Sequence, residues 1–374
     1  MSYLLAFAGF SALIILHELG HFTAAKAVGM RVERFSLFFP PLIWRWRPKH
    51  SETEYAIGAL PLGGYVKISG MNPAEDLPPE VLPRAYFRQP VWKRVVVIAA
   101  GPAVNVVLAF LILWILFTVH TLSFAEPVVE SVQPHTPAAQ VLKPGDRILS
   151  VDGTPGFTPG IDPESASSRV DDLRAQIANH QCAGGTLRPG CRATTPVRLV
   201  VLRHGRRVTL NVVPRYDPKA QRLVIGFSFA SRQVDYGPGQ AAGYSVRTLW
   251  RVTTTTVDSI VRLFYDPQAR KQVSGVVGSY ETTRQSFEFD TAQAAFVLAI
   301  ISLSLAVINL FPFLPLDGGH IFWAVAEKIR GRPISFRVME RAGIVGFMLV
   351  IFLAYIGLSN DIGRITSGQG FMPR

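Results

Sequence analysis

The sequence predicts a mainly α-helical membrane protein with four transmembrane helices, a β-hairpin region and an inserted α+β domain. Four apolar runs approach the ~20 residues that a bilayer core requires of a helix: about Tyr3–Val28, Val95–Thr118, Ala292–Pro315 and Ala342–Leu358. Short aromatic and β-branched stretches lie between the first two runs, and a long polar region of strand-like runs and turns separates the second from the third. Composition agrees. Of 374 residues 49% are hydrophobic and 17% charged, below the usual quarter, and the mean hydropathy is +0.26. This is the profile of a membrane protein with a substantial aqueous portion.

The first run contains His17-Glu18-Leu19-Gly20-His21. Imidazoles four residues apart share one helical face and can bind a single zinc ion. Glu18 is a poor third ligand from that face, but it can take a proton from water that the ion activates. Three ionisable groups in a span are costly and imply a function. The alternative is a buried core helix whose polar residues are satisfied.

The second run carries Asn105 as its one strongly polar side chain. The third ends Asn309-Leu310-Phe311-Pro312-Phe313-Leu314-Pro315-Leu316-Asp317-Gly318-Gly319-His320. Pro312 and Pro315 interrupt the backbone ladder, which membranes tolerate only where the freed groups face protein or a cavity. Asp317 can complete a His, His, carboxylate set and leave the fourth position for water. Gly318 and Gly319 permit a sharp turn. His320 either orients Asp317 or sits at the interface. Asn309 either donates to substrate or a developing oxyanion, or packs helices.

Basic residues outnumber acidic ones between the first two runs, and Lys328, Arg330, Arg332, Arg337 and Arg341 separate the last two. Positive-inside counting puts both loops in the cytoplasm, with both termini and the long middle region outside. The first and third spans then run in the same direction, so the His pair and Asp317 share a depth near the cytoplasmic leaflet. The net charge of +12 forms no compact basic stripe interleaved with aromatics, which argues against nucleic acid. Anionic lipids and topology account for it.

Val32–Phe39, Leu42–Trp46 and Tyr55–Val66 read as short strands. In the middle region strands are expected at Pro127–Val132, Ile148–Val151, Val197–Leu202, Arg207–Val213 and Leu223–Phe229, and a helix at Asp171–Ala178. Cys182 and Cys191 form a local disulfide if their loop faces an oxidising compartment; two free thiols are the other reading. Gly243–Phe264 is amphipathic at helical spacing and suits the outer membrane surface. Ser274-Gly275-Val276-Val277-Gly278-Ser279 receives no chemistry from spacing. The resulting domains are 1–120, 121–232, 233–290 and 291–374.

In His17-Glu18-Leu19-Gly20-His21, Asn309 to Asp317-Gly318, Gly101-Pro102-Ala103-Val104-Asn105 and Pro61-Leu62-Gly63-Gly64-Tyr65-Val66-Lys67, the chain resembles the site-2-protease-type intramembrane zinc metalloproteases. It is most similar to their bacterial regulator-of-sigma-E branch. The resemblance implies Zn2+ held by His17, His21 and Asp317, with Glu18 catalytic. It implies substrate handling at Asn105 and Asn309, and a membrane-associated β-hairpin beside the site that carries Gly63, Gly64 and Tyr65. An extended substrate could join such an edge by strand addition; a small interfacial sheet is the plainer reading. Ser131–Gly153 and the later hairpin resemble a PDZ domain. Larger members carry two in tandem. This chain has room for one, enlarged by the Thr154–Ser168 and Cys182–Cys191 insertions, which either recognises peptide tails or only excludes bulky substrates.

The fold class so completed has four transmembrane helices, a membrane-associated β-hairpin region and an inserted extracytoplasmic PDZ-like α+β domain. The implied setting is the bacterial cytoplasmic membrane, among membrane lipids. The implied partners are single-span transmembrane substrates such as anti-sigma factors or remnant signal peptides. The rival reading is a receptor or scaffold with a structural metal, whose fourth position His320 would close.

Overall fold

The computed structural model describes all residues except 73–74, 183–187, 219, 221, 333 and 368–374, and the side chains of Pro61, Leu62, Gln272 and Phe336. Two compact units emerge: Met1–Phe117 with the chain from Pro238, and the inserted stretch Thr118–Gly237.

The first unit opens with α1 (Ser2–Ala27), β1 (Val32–Trp46), β2 (Glu54–Ile68) and α2 (Val91–Val119). The two strands fold on each other. The first half of β1 lies between the two halves of β2, so that Phe35 pairs with both Val66 and Tyr55, while Trp44 and Trp46 pair with Ile57 and Tyr55. The Gly64–Ile68 run is thereby left at an edge. Ala25, Met30, Val32, Ile68, Val97 and Ile98 form one buried cluster that fastens this sheet to α1 and α2.

The inserted unit contains β3 (Leu122–Val132), β4 (Arg147–Val151), β5 (Thr154–Pro155), α3 (Pro163–Ala178), β6 (Val197–Arg203), β7 (Arg206–Val212), β8 (Arg215–Asp217), β9 (Arg222–Val224) and β10 (Phe227–Val234). Its antiparallel sheet runs β10-β3-β4-β6-β7, with β5 beside β4 and a separate β8-β9 ribbon. Val129, Ile148, Val151, Leu173, Leu199 and Val201 fill the core beneath α3. The single strand expected at Leu223–Phe229 is divided, because Gly226 takes φ +88° between β9 and β10. α3 starts well before Asp171, because Asp162 accepts the Ser165 N–H and Pro163 presets the first turn. Part of the Thr154–Ser168 insertion is therefore helical. Cys182 and Cys191 form a disulfide with Cα atoms 5.8 Å apart.

The first unit resumes with α4 (Pro238–Arg262), α5 (Pro267–Gln272), α6 (Val276–Phe289), α7 (Thr291–Asn309), α8 (Asp317–Arg330) and α9 (Phe336–Thr366). Among the described residues four helices are long and apolar enough to cross a membrane: Ser2–Ala27, Val91–Val119, Thr291–Asn309 and Arg337–Thr366. Two departures from the sequence expectation matter. The third span stops at Asn309 instead of Pro315, since neither Pro312 nor Pro315 can donate to a helical ladder. Asp317 therefore begins a separate helix after an irregular turn. The last helix is far longer than Ala342–Leu358, about 46 Å at the helical rise per residue, because polar residues at both ends continue it beyond the apolar middle.

Candidate metal centre

α1 delivers His17 and His21, which are 6% and 7% exposed, and the first turn of α8 delivers Asp317. The two Nε2 atoms lie 3.2 Å apart, and Asp317 Oδ2 lies 3.4 Å from the first and 3.3 Å from the second. Ligands at ~2.0–2.1 Å on a tetrahedral zinc stand roughly 3.3–3.4 Å from one another. The three donors thus fit three corners of such a site. Asp317 Oδ2 is buried and receives no hydrogen bond from the described residues. Converging lone pairs this close are unfavourable unless a cation joins them. His21 Nδ1 donates to the Val97 carbonyl at 2.9 Å, which leaves its Nε2 lone pair for the metal.

The local fold keeps this arrangement tight. A Cβ at Gly101 would overlap the His21 ring, so α2 can lie close against α1 only with glycine there. Adjacent residues of α2 hold the ends of both ligand-bearing helices. Lys93 Nζ donates to the Val28 carbonyl at 2.9 Å, and Arg94 pairs with Glu327 of α8 at 2.6 Å. Where the hairpin meets α1, Arg84, and then Lys26, hold the Glu52 carboxyl down to about 2.

A cavity of about 970 Å³ opens on the metal ligands. Its wall includes Glu18, Gly63, Gly64, Tyr65, Asn309 and His320 together with Phe7, Phe10, Ile14 and Leu305. The backbone of β2 passes directly over Glu18, with only 2.8 Å between its Cγ and a Cβ built on Gly64. Asn309 Nδ2 lies 3.4 Å from His17 Nε2, so its amide faces the centre. Asn105 is elsewhere. It is fully buried, neither side-chain polar atom has a hydrogen-bond partner among the described residues, and it is absent from the cavity wall. His320 lines the cavity, yet among the described residues the converging metal-type donors are His17, His21 and Asp317.

Sequence reasoning missed the Lys93-Arg94 pair, because basic residues at the start of a span read first as topology signals. It also missed Phe38, which lines the cavity with φ +67°. That conformation is strained for a bulky residue and leaves no mark in the sequence.

Two histidines on a membrane-length helix and a carboxylate at the start of the short α8, at tetrahedral spacing beside the half-buried Glu18, form the kind of site that a zinc metalloprotease uses. Residues 5–353 match Peptidase family M50, and the chain belongs to that family of intramembrane proteases. It is 30% identical to a protein of Rhizobium meliloti named as a zinc metalloprotease, over 94% of this chain and 93% of the relative. A Nostoc protein named in the same way is also 30% identical, over 98% and 97%. The regulator of sigma E protease of Salmonella typhi is 28% identical, over 94% of this chain and 96% of its own.

Proposed function

We propose that the chain hydrolyses peptide bonds within or next to the transmembrane segments of single-span membrane proteins, such as anti-sigma factors or remnant signal peptides. The observation that carries this reading is the donor triangle of His17, His21 and Asp317, which opens on a cavity shared with Glu18 and a strand edge. Zinc held there would supply the Lewis-acid charge that makes water more acidic and a carbonyl more electrophilic. Glu18 takes the proton of the attacking water and returns it to the leaving amine. Asn309 donates to the carbonyl oxygen as charge develops on it. The Gly64–Ile68 edge receives the substrate as an added strand, which keeps the scissile amide extended and clear of its own helix. Gly63, Gly64 and Tyr65 form the near end of that edge.

The inserted unit is a PDZ-like domain on the extracytoplasmic side of a bacterial cytoplasmic membrane, as are both termini. Its disulfide supports an oxidising compartment, and the basic loops between the spans support the orientation. It holds back substrates whose outer parts are still bulky, so that cleavage follows a first trimming. Deleting roughly Glu126–Ala230 then makes untrimmed substrates cleavable; continued resistance sinks this gating idea. The proteolytic reading is tested with Glu18→Gln, which retains zinc and captures an uncleaved single-span substrate. Cleavage by that variant refutes the role given to Glu18.

A further inference from the structure

The stretch Ser274–Ser279, whose spacing assigns it no chemistry, spans the end of the α5–α6 joint and the first turn of α6, and α9 grips it. Asp361 is fully buried. Its Oδ1 accepts from Ser274 Oγ at 3.2 Å and the Gly275 N–H at 3.1 Å, and its Oδ2 accepts from the Gly275 N–H at 3.0 Å and the Gly278 N–H at 2.7 Å. Asn360 acts with the opposite polarity. Its Nδ2 donates to the carbonyls of Arg270 at 2.7 Å and Val273 at 2.9 Å. Two consecutive side chains thus satisfy carbonyls where α5 ends and amides where α6 begins, groups that helix ends leave unpaired. The carboxylate also meets the positive end of the α6 dipole. The crossing leaves no room for side chains. A Cβ on Gly278 would overlap both Asp361 Oδ1 and Ser274 Oγ, and a Cβ on Gly357 would come within 2.9 Å of Gly275 Cα.

The residues that follow this joint stand in the wall of the catalytic cavity: Val276, Val277 and Tyr280. Tyr280 rests against Phe10 and donates its hydroxyl to the Tyr3 carbonyl at 2.9 Å. A carboxylate buried at this depth is costly unless fully bonded, and here its bonds are spent on the position of α6. We propose that Asp361, seconded by Asn360, is a positioning residue for substrate: it fixes the α6 wall and so governs how a membrane segment seats over the metal centre. It touches neither the metal ligands nor the reacting bond.

The proposal rests on the proteolytic reading for one arm of its test and is independent of it in the other. Full-length protein in nanodiscs is compared as wild type, Asp361→Ala, Asp361→Asn and Gly278→Ala. Gly278→Ala raises helix propensity yet blocks the carboxylate's seat, so it separates the latch from helix strength. In the structural arm each background carries Thr283→Cys, a fully buried position on α6; the native cysteines are paired and silent. Alkylation by a maleimide accelerates about tenfold in Asp361→Ala and Gly278→Ala, and less in Asp361→Asn, while Ser302→Cys on α7 keeps its wild-type rate. In the catalytic arm KM for a single-span substrate rises about tenfold, with kcat within about twofold and bound zinc unchanged. An unchanged alkylation rate or an unchanged KM overturns the proposal, as does zinc loss together with a collapse of kcat. If Asp361→Ala fails to accumulate, the other two variants decide. A wild type that cleaves nothing refutes the proteolytic reading alone, and the alkylation arm still judges the latch.

Discussion

Both units bury apolar side chains, but they differ in the polar ones they bury. Among the buried polar residues described, only Asp146 belongs to the inserted unit; His17, His21, Asn105, Thr283, Ser302 and Asp361 all lie in the other. Large exposed apolar side chains show the reverse: Val119 and Val213 are the inserted unit's share, against Leu4, Trp250, Ile344, Phe352 and many more in the first. The inserted unit is stabilised as a water-soluble protein is, by an apolar core between sheet and helix. The first unit gains little from moving apolar groups out of a solvent equally apolar. Close packing at small residues and internal hydrogen bonds hold it instead. Its buried polar groups are therefore concentrated where chemistry or helix registration needs them.

If that contrast is right, lesions in one unit leave the properties of the other intact. The largest effect falls on chemistry. Glu18→Gln reduces kcat/KM by about 10²–10⁴-fold, while zinc content and the protease resistance of residues 118–237 stay at wild-type values; a loss of stability would show that Glu18 is structural.

Next comes the pair of buried Asp146 and half-buried Arg203 in the inserted unit. Arg203 donates to both oxygens of Asp146, at 2.8 and 2.6 Å, and the Lys143 N–H adds a third bond. Burial pushes the Asp146 carboxyl up, but these bonds outweigh it and hold it below the ordinary value. Because the folded pKa is depressed, this stabilisation is fully present above about pH 4 and is lost as pH falls through the folded value. Asp146→Ala destabilises the unit by about 3 kcal/mol at neutral pH, and Asp146→Asn flattens its acid dependence. Pulse proteolysis of the full-length protein across pH measures both, and a pH profile identical in the wild type and Asp146→Asn would refute the assignment.

Replacing both Cys182 and Cys191 by Ser costs the same unit about 2–3 kcal/mol, set by the short loop that the bond closes. Cleavage of a pre-trimmed substrate remains unchanged. The smallest effect concerns registration of the metal site: Arg94→Gln or Glu327→Gln weakens zinc binding about tenfold, by loosening α8 against α2. The exchange Arg94→Glu with Glu327→Arg recovers part of it. Zinc competition with a chromophoric chelator reads the difference, and equal affinities would show that Asp317 needs no such support.

Sequence revealed most where chemistry is local or patterning is periodic. His17 and His21 announce themselves by a four-residue spacing inside an apolar run, and Asp317 by its place after Pro312 and Pro315. The strands of the inserted unit alternate as half-buried strands do. What stayed hidden depends on contacts distant in sequence. α6 carries Thr283 and Ser286 on its buried face, so no apolar stripe betrays it. α8 was masked by Asp317-Gly318-Gly319, which reads as a turn although it opens a helix. The start of α3 was within reach, since Asp162-Pro163 is a capping signal. The substrate role expected of Asn105 comes from the resemblance alone; the fold buries this residue fully, and it does not line the cavity at the metal centre.

Zinc-edge X-ray absorption on the full-length protein, loaded with one equivalent of zinc, addresses the metal centre directly. The spectrum should fit two imidazole nitrogens and oxygen neighbours at ~2.0–2.1 Å, with imidazole scattering halved by His21→Ala and affinity lost in Asp317→Ala. Sulfur neighbours, or a spectrum indifferent to both substitutions, would contradict the account.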